Sequence, residues 1–325
     1  MRNIAELLNS LKSVTRVEFV PANSASVVIG FAWAASQPVS FTFQTVGFLV
    51  FLFVVLSAVG TLGAHWNTYS DFELDRDDPT KQELHRSLLA LGKDTLMRII
   101  RVEVVLAIII FVLFYLTHGD PRLIALWLAA ICLAYAYSMP PLRFKARGIL
   151  AFVSLCMVLS ILPVLFVYLS TNPHLSREFI IFLAGHTMVI YSLIIPTEIR
   201  DFVVDRDHQV TTMTVWLGLK EAIIFDLILL GLGTALILGG YFFSEIFHLT
   251  PVLRGFLVVP LLCNGLVFSK LIKLRKLINQ PGKKDQAAIA EAARLAEDNP
   301  QWITISSMGS LVIAIVTIVG KVILM

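Results

Sequence analysis

The sequence predicts an all-α polytopic membrane protein of nine transmembrane helices. Two observations carry this. The chain of 325 residues is 57% hydrophobic and only 15% charged, with a mean hydropathy of +0.80, outside the range of ordinary soluble domains. Apolar runs of roughly 18 to 25 residues also recur along it, each long enough to cross a hydrocarbon core of about 30 Å. The segments are Phe19–Ser36, Phe41–Ala64, Thr95–Thr117, Pro121–Tyr137, Ile149–Ser170, Phe179–Thr197, Ala222–Phe243, Pro251–Leu271 and Trp302–Leu324. They leave little room for a soluble unit, so residues 1–325 read as one transmembrane domain. Met1–Glu18 is mixed and polar, without the short apolar core of a removable signal peptide.

Orientation follows from lysine and arginine, which gather in short cytoplasmic loops. One side holds Arg2, Lys12 and Arg16, then Arg76, Lys81, Arg86, Lys93 and Arg98, then Arg143, Lys145 and Arg147, then Arg200, Arg206 and Lys220, and finally the long connection 270–299. The other side holds only Arg122, Arg177, Arg254 and Lys321. Nine spans with the N-terminus inside and the C-terminus outside satisfy this asymmetry. The net charge of +3 is therefore a mark of topology, and no nucleic-acid partner is expected. Within the connection 270–299, Asp285–Asp298 carries strong helix formers in an amphipathic pattern suited to the membrane surface, where its basic lead Lys270–Lys276 would meet anionic lipid. Cys132, Cys156 and Cys263 lie in apolar runs without CxxC spacing, so neither a disulfide framework nor a zinc site is expected.

The chemistry is expected where acidic residues cluster at the ends of spans. In Asn67–Pro79, Asn67, Asp71 and Asp75 stand four apart, which on a helix sets a row of oxygen ligands on one face. In Glu198–Gln209, Asp201 and Asp205 repeat that interval after another span of the same polarity. Magnesium suits such rows, because it takes one or two carboxylates and fills its shell with substrate phosphate oxygens. Two facing rows would hold two or three Mg2+ ions bridging one diphosphate. The alternative is a pair of solvated helix ends with i,i+4 ion pairs; the repetition on one side favours ligands. Between them, Tyr137–Gly148 joins a proline pair to Arg143 and Lys145, which alternate as on an extended segment and so point together, toward an anion.

These segments resemble the UbiA superfamily of intramembrane prenyltransferases, with its NxxxDxxxD motif after the second span and DxxxD after the sixth. Asn67, Asp71 and Asp75 match the first motif, and Asp201 and Asp205, preceded by Arg200, the second. Tyr137, Ser138, Pro140, Pro141, Arg143 and Lys145 match the YSxPPxRxK stretch between spans four and five, Arg16 resembles the basic residue before the first span, and Arg86 aligns with the arginine that follows the first motif. Thr68, Ser87 and His208-Gln209 depart from the pattern without removing a metal ligand.

The resemblance implies nine helices around a central cavity capped by the aspartates on the cytoplasmic side of a cell or inner membrane. The implied catalytic and metal-binding residues are Asn67, Asp71, Asp75, Asp201 and Asp205. The implied diphosphate-binding set is Arg16, Lys81, Arg86, Tyr137, Ser138, Arg143, Lys145 and Arg200. The implied reaction transfers a prenyl group from a prenyl diphosphate to an aromatic, quinone-precursor-like or lipid acceptor, with the segments Asp71–Leu88 and Asp201–Val215 closing as lids against water. Tyr69, Tyr137 and Tyr191 are candidates to steady a cation, or else interfacial anchors. His186 and Asn264 either meet a polar acceptor or tie neighbouring helices. The other classes to weigh are a membrane terpene cyclase, which would give hydrocarbon without an acceptor, a CDP-alcohol phosphotransferase, whose Asp-Gly and Ala-Arg elements are absent, and a transporter. Against a transporter, Arg101 and Glu103 read as a local end-of-span pair rather than midplane charges.

Overall fold

A computed structural model describes residues 4–15, 20–35, 42–77, 81–244, 254–279 and 299–323, with the single positions 290 and 294. Among them no strand occurs; the sole β feature is an isolated bridge between Arg147 and Thr211. The helices are α1 Ile4–Thr15, α2 Val20–Ala34, α3 Phe43–Ser70, α4 Phe72–Asp77, α5 Gln82–Leu91, α6 Lys93–His118, α7 Pro121–Ser138, α8 Ile149–Cys156, α9 Leu162–Thr171, α10 Arg177–Ser192, α11 Ile195–Asp207, α12 Met213–Leu217, α13 Leu219–Phe243, α14 Val258–Ile278 and α15 Asn299–Ile323.

The described residues of the nine segments read from the sequence are largely helical, with Ile149–Ser170 divided between α8 and α9 and Phe179–Thr197 between α10 and α11. Six helical stretches among the described residues are long and apolar enough to cross a bilayer, and the bent pair α10–α11 brings the number to seven. The other two fall short for visible reasons. Helix α2 has 15 described residues, and the last turns of α14 carry Lys270, Lys273, Arg275 and Lys276, which shorten its apolar stretch. The amphipathic segment Asp285–Asp298 lies outside the described residues except for positions 290 and 294, and Arg16 lies outside them.

Helix α6 presents Val102, Val105, Leu106, Ile109, Leu113 and Leu116 on its exposed face, as a helix bathed in lipid does. Inside the bundle, polar side chains tie helices together. His65 on α3 joins Glu103 on α6 (2.7 Å) and Thr15 at the end of α1 (3.2 Å). Glu103 therefore pairs across the bundle with a histidine and not with Arg101, because its side chain faces α3. Asn264 on α14 donates to Thr234 on α13 (3.0 Å) and accepts from Ser306 on α15 (2.6 Å); it is a tie between helices, worth on the order of 1 kcal/mol per bond. The last helix closes onto the first span, where the Lys321 ammonium donates to the carbonyls of Ala32 (2.7 Å) and Ala35 (2.6 Å) at the C-terminal end of α2. A cation there meets the negative end of the helix dipole.

The α10–α13 contact positions the second acidic row. A Cβ at Gly185 would stand 2.6 Å from the Gly233 carbonyl and 2.7 Å from the Ile237 nitrogen, so only glycine allows the two backbones this approach. Beyond that anchor, Pro196 lacks an N–H for the preceding turn and α11 bends 40° away from α10. Similarly, Pro163 follows a π-helical turn at Met157–Ile161 that separates α8 from α9. A cavity of about 1200 Å³ opens between α2, α3, α6 and α9, lined by Gln44, Phe48, Phe51, His118 and Asn172. It lies at the end of the bundle away from the acidic motifs, not beneath them, since Gln44 and His118 are a full helix length from Asn67 and Lys93.

Candidate active site

The first acidic row continues a span. Helix α3 ends at Ser70, yet the Asp71 N–H still bonds the Asn67 carbonyl (2.9 Å) and the Asp75 N–H the Asp71 carbonyl (2.7 Å). Asp71, at φ −94° and ψ 8°, caps α3, and these two bonds carry the four-residue spacing of Asn67, Asp71 and Asp75 across the junction into α4. Asp71 and Asp75 are 5% and 4% exposed, so neither is a solvated helix end.

The second row sits on α11 after the proline bend. Asp205 is buried, and Asp201 accepts from Arg200 Nε (2.7 Å) and Nη2 (3.1 Å). The Val210 N–H bonds the Asp205 carbonyl, ending the helix, while Gln209 takes φ 57°, a region glycine enters without steric cost.

The rows meet. Lys81, just ahead of α5, places Nζ 3.4 Å from Asp75 Oδ1 and 3.2 Å from Asp201 Oδ2, so one ammonium touches a carboxylate of each. A second crossing joins His208 Nε2 to Asp77 Oδ2 at 3.1 Å.

The basic loop after α7 completes the cluster. Arg143 and Lys145 do not lie on an extended segment as their alternation suggests. Arg143 takes φ 39° and Phe144–Ala146 forms a 3-10 turn, which Arg147 closes by donating to the Pro141 carbonyl (2.9 Å). Both nevertheless reach Asp71. The Lys145 ammonium contacts Asp71 Oδ1 directly and lies 3.3 Å from Ser70 Oγ, and Arg143 Nη2 is 3.8 Å from the same carboxylate oxygen. Burial pushes the Lys145 ammonium down to about 7, while the Asp205 carboxylate pulls it back up. Ser138 Oγ stands 3.4 Å from Asn67 Oδ1, with half-buried Tyr137 beside it.

The remaining candidates fall elsewhere. Arg86 is exposed on α5 and has no ion pair or hydrogen bond to the acidic residues among the described residues. Its neighbour His85 is buried there instead, against Phe72. The Tyr69 ring carries the Lys93 ammonium 4.8 Å from its centroid. Tyr191 is fully buried and donates to Glu198 Oε1 (3.2 Å). His186 is buried against the Phe182 ring, with its Nδ1 unbonded.

Sequence reasoning passed over Glu198. This buried side chain also accepts from the Thr214 N–H through Oε2 (2.9 Å), so it joins α10, α11 and α12. An acid at the start of a helix, three residues before Asp201 and next to an apolar span, was the available signal.

The oxygen donors suit a hard cation: one amide carbonyl and four carboxylates, three of them buried. Among the described residues no three acidic or histidine side chains converge on one point, because Lys81 and Lys145 stand between them. That arrangement fits magnesium, which takes one or two protein carboxylates and completes its shell from phosphate.

The fold has solved relatives. A UbiA homolog from Archaeoglobus fulgidus bound to GPP and Mg2+ superimposes with a TM-score of 0.61 at 14% identity, covering 92% of this chain and 99% of that one. A digeranylgeranylglyceryl phosphate synthase gives 0.62 at 15% identity, over 95% and 99%. The apo structure of a UbiA homolog from Aeropyrum pernix K1 gives 0.60 at 15%, over 90% and 98%. No curated protein matches the sequence. The UbiA prenyltransferase family profile matches residues 24–288, which carry both acidic rows and the basic loop between them. The chain belongs to the UbiA prenyltransferase family.

Proposed function

We propose that this integral membrane prenyltransferase binds a prenyl diphosphate between its two acidic rows with two or three magnesium ions, and transfers the prenyl group to an aromatic or lipid acceptor. The observation that carries the reading is Lys81, whose ammonium lies between Asp75 and Asp201: the rows share one site, close enough for a common ligand. The solved relatives bound to GPP or DMAPP and Mg2+ support it.

Asn67, Asp71, Asp75, Asp201 and Asp205 are the residues to hold the metal. Magnesium, when bound, neutralises the diphosphate and makes it a better leaving group. Lys81, Lys145 and Arg143, paired here with carboxylates, are the cations that would turn to the phosphate oxygens, with the acids left to hold the metal. Arg200 keeps Asp201 oriented. The allylic carbon–oxygen bond breaks with its electron pair leaving on diphosphate, and the acceptor supplies the pair for the new carbon bond and then loses a proton. Water would intercept the cation, so α4–α5 and the α11–α12 connection close over the opening. Their contact through His208 and Asp77 supports this. The lysine and arginine asymmetry supports a site on the cytoplasmic side, with the N-terminus inside and the C-terminus outside.

The test incubates purified protein in detergent with prenyl diphosphates of several lengths, magnesium and a panel of aromatic and lipid acceptors. Diphosphate release that depends on both magnesium and an acceptor is expected. Hydrocarbon product without any acceptor would overturn transfer in favour of cyclisation.

A further inference from the structure

At the corner between α11 and α12 one buried side chain, Glu198, bonds both to α12 and to α10. Glu198 Oε2 accepts the Thr214 N–H at 2.9 Å in the first turn of α12, and Oε1 accepts the Tyr191 hydroxyl at 3.2 Å from α10. Thr212 Oγ1 caps the same turn by accepting from Val215 (3.3 Å). The residue before it, Thr211, is bonded in turn to the basic loop: its carbonyl accepts the Gly148 N–H at 2.6 Å. Gly148 takes φ 52°, and a Cβ there would meet the Trp216 side chain of α12 at 3.2 Å, so the loop and α12 are packed as one piece. That loop delivers Arg143 and Lys145 to Asp71. An unbroken series of contacts therefore leads from the α11 backbone, through Glu198 and α12, to the cations facing the first acidic row.

We infer that Glu198 is a positioning residue for diphosphate binding, setting the distance between the second acidic row and the basic loop by clamping α12 to α10 and α11. The inference rests on reading the acidic rows as the metal and diphosphate site. Glu198 itself contacts neither. What matters is reach: glutamine keeps an oxygen for Thr214 and a nitrogen to face Tyr191, whereas aspartate keeps the charge but is shorter by one bond of about 1.5 Å and cannot meet both partners.

The experiment measures magnesium-dependent binding of inorganic diphosphate to the full chain in detergent by titration calorimetry, with KM and kcat for a prenyl diphosphate and thermal unfolding alongside. Glu198→Asp is expected to weaken diphosphate binding about tenfold, the scale of one lost hydrogen bond, and to raise KM more than it lowers kcat. Glu198→Gln is expected to stay within about threefold of the parent. An aspartate variant that binds like the parent, or a glutamine variant as weak as the aspartate one, overturns the inference. If Glu198→Asp does not fold, Tyr191→Phe decides, since it removes one bond and keeps the packing: binding about threefold weaker is expected, and unchanged binding overturns the inference. A parent protein with no magnesium-dependent diphosphate binding would instead overturn the functional reading, and this inference with it.

Discussion

In the first acidic row Asp71 closes an apolar span and Asp75 follows on the next short helix, joined to it by the Asp71–Asn67 and Asp75–Asp71 backbone bonds, and the counter-charges are Lys145 and Arg143 from a distant loop and Lys81 from the following connection. In the second row Asp201 and Asp205 follow a proline bend, and Asp201 takes one counter-charge from its own neighbour Arg200 and the other from Lys81. The same four-residue spacing is thus held in place by different means, the first by two backbone bonds across the α3–α4 junction and the second by the glycine contact of α10 with α13 and the Glu198 corner. The difference teaches that spacing sets the ligand row, while tertiary contacts decide what each row faces.

The strongest way to break this comparison is to remove one acid from each row. Asp71→Ala and Asp201→Ala are each expected to lower turnover at least about a hundredfold, the scale of one lost transition-state electrostatic group, with folding retained; chelating the metal should do the same. Turnover followed as diphosphate release checks this, and turnover retained in one of the two variants would mean that its row does not serve the reaction.

Next come the lysines. Lys145→Met leaves buried Asp71 with the Ser70 hydroxyl and the more distant Arg143, and is expected to cost about 3 kcal/mol in metal-free detergent. Lys81→Met takes the bridging cation from buried Asp75 and leaves Asp201 with Arg200, and should cost about as much. Unfolding midpoints with chelator and with magnesium check both, and magnesium should narrow the gap because it replaces the missing cation. The smallest expected effect is at the end of the second row: Gln209→Gly relieves a left-handed backbone and should raise stability by about 1 kcal/mol without changing turnover, measured by the same unfolding assay.

Much of this was legible in the chain. The described residues of the apolar segments are largely helical, six or seven of them long enough to span a bilayer, and the i,i+4 rows lie where the spacing put them, because period and hydropathy are local properties. What one sequence did not reveal was pairing. Glu103 faces His65 instead of Arg101, Asn264 bonds two helices, and Lys81 bridges the rows, since each depends on which helix faces are turned together. The loop Arg143–Arg147 misled for a related reason: alternating charges suggested extension, but the Arg147 bond to Pro141 curls the chain into a turn. Arg86 matched by alignment and yet points outward, because α5 buries His85 and Leu88 instead. Glu198 escaped notice because its partners are a backbone N–H and a tyrosine on another helix.

The central claim is that the two rows share one metal-bridged ligand. Crystals grown with a prenyl diphosphate and manganese in place of magnesium test it by anomalous scattering. Manganese peaks within coordinating distance of carboxylates from both α4 and α11, with the diphosphate between them, are expected. Manganese bound by one row alone, or a diphosphate seated away from both, would contradict it.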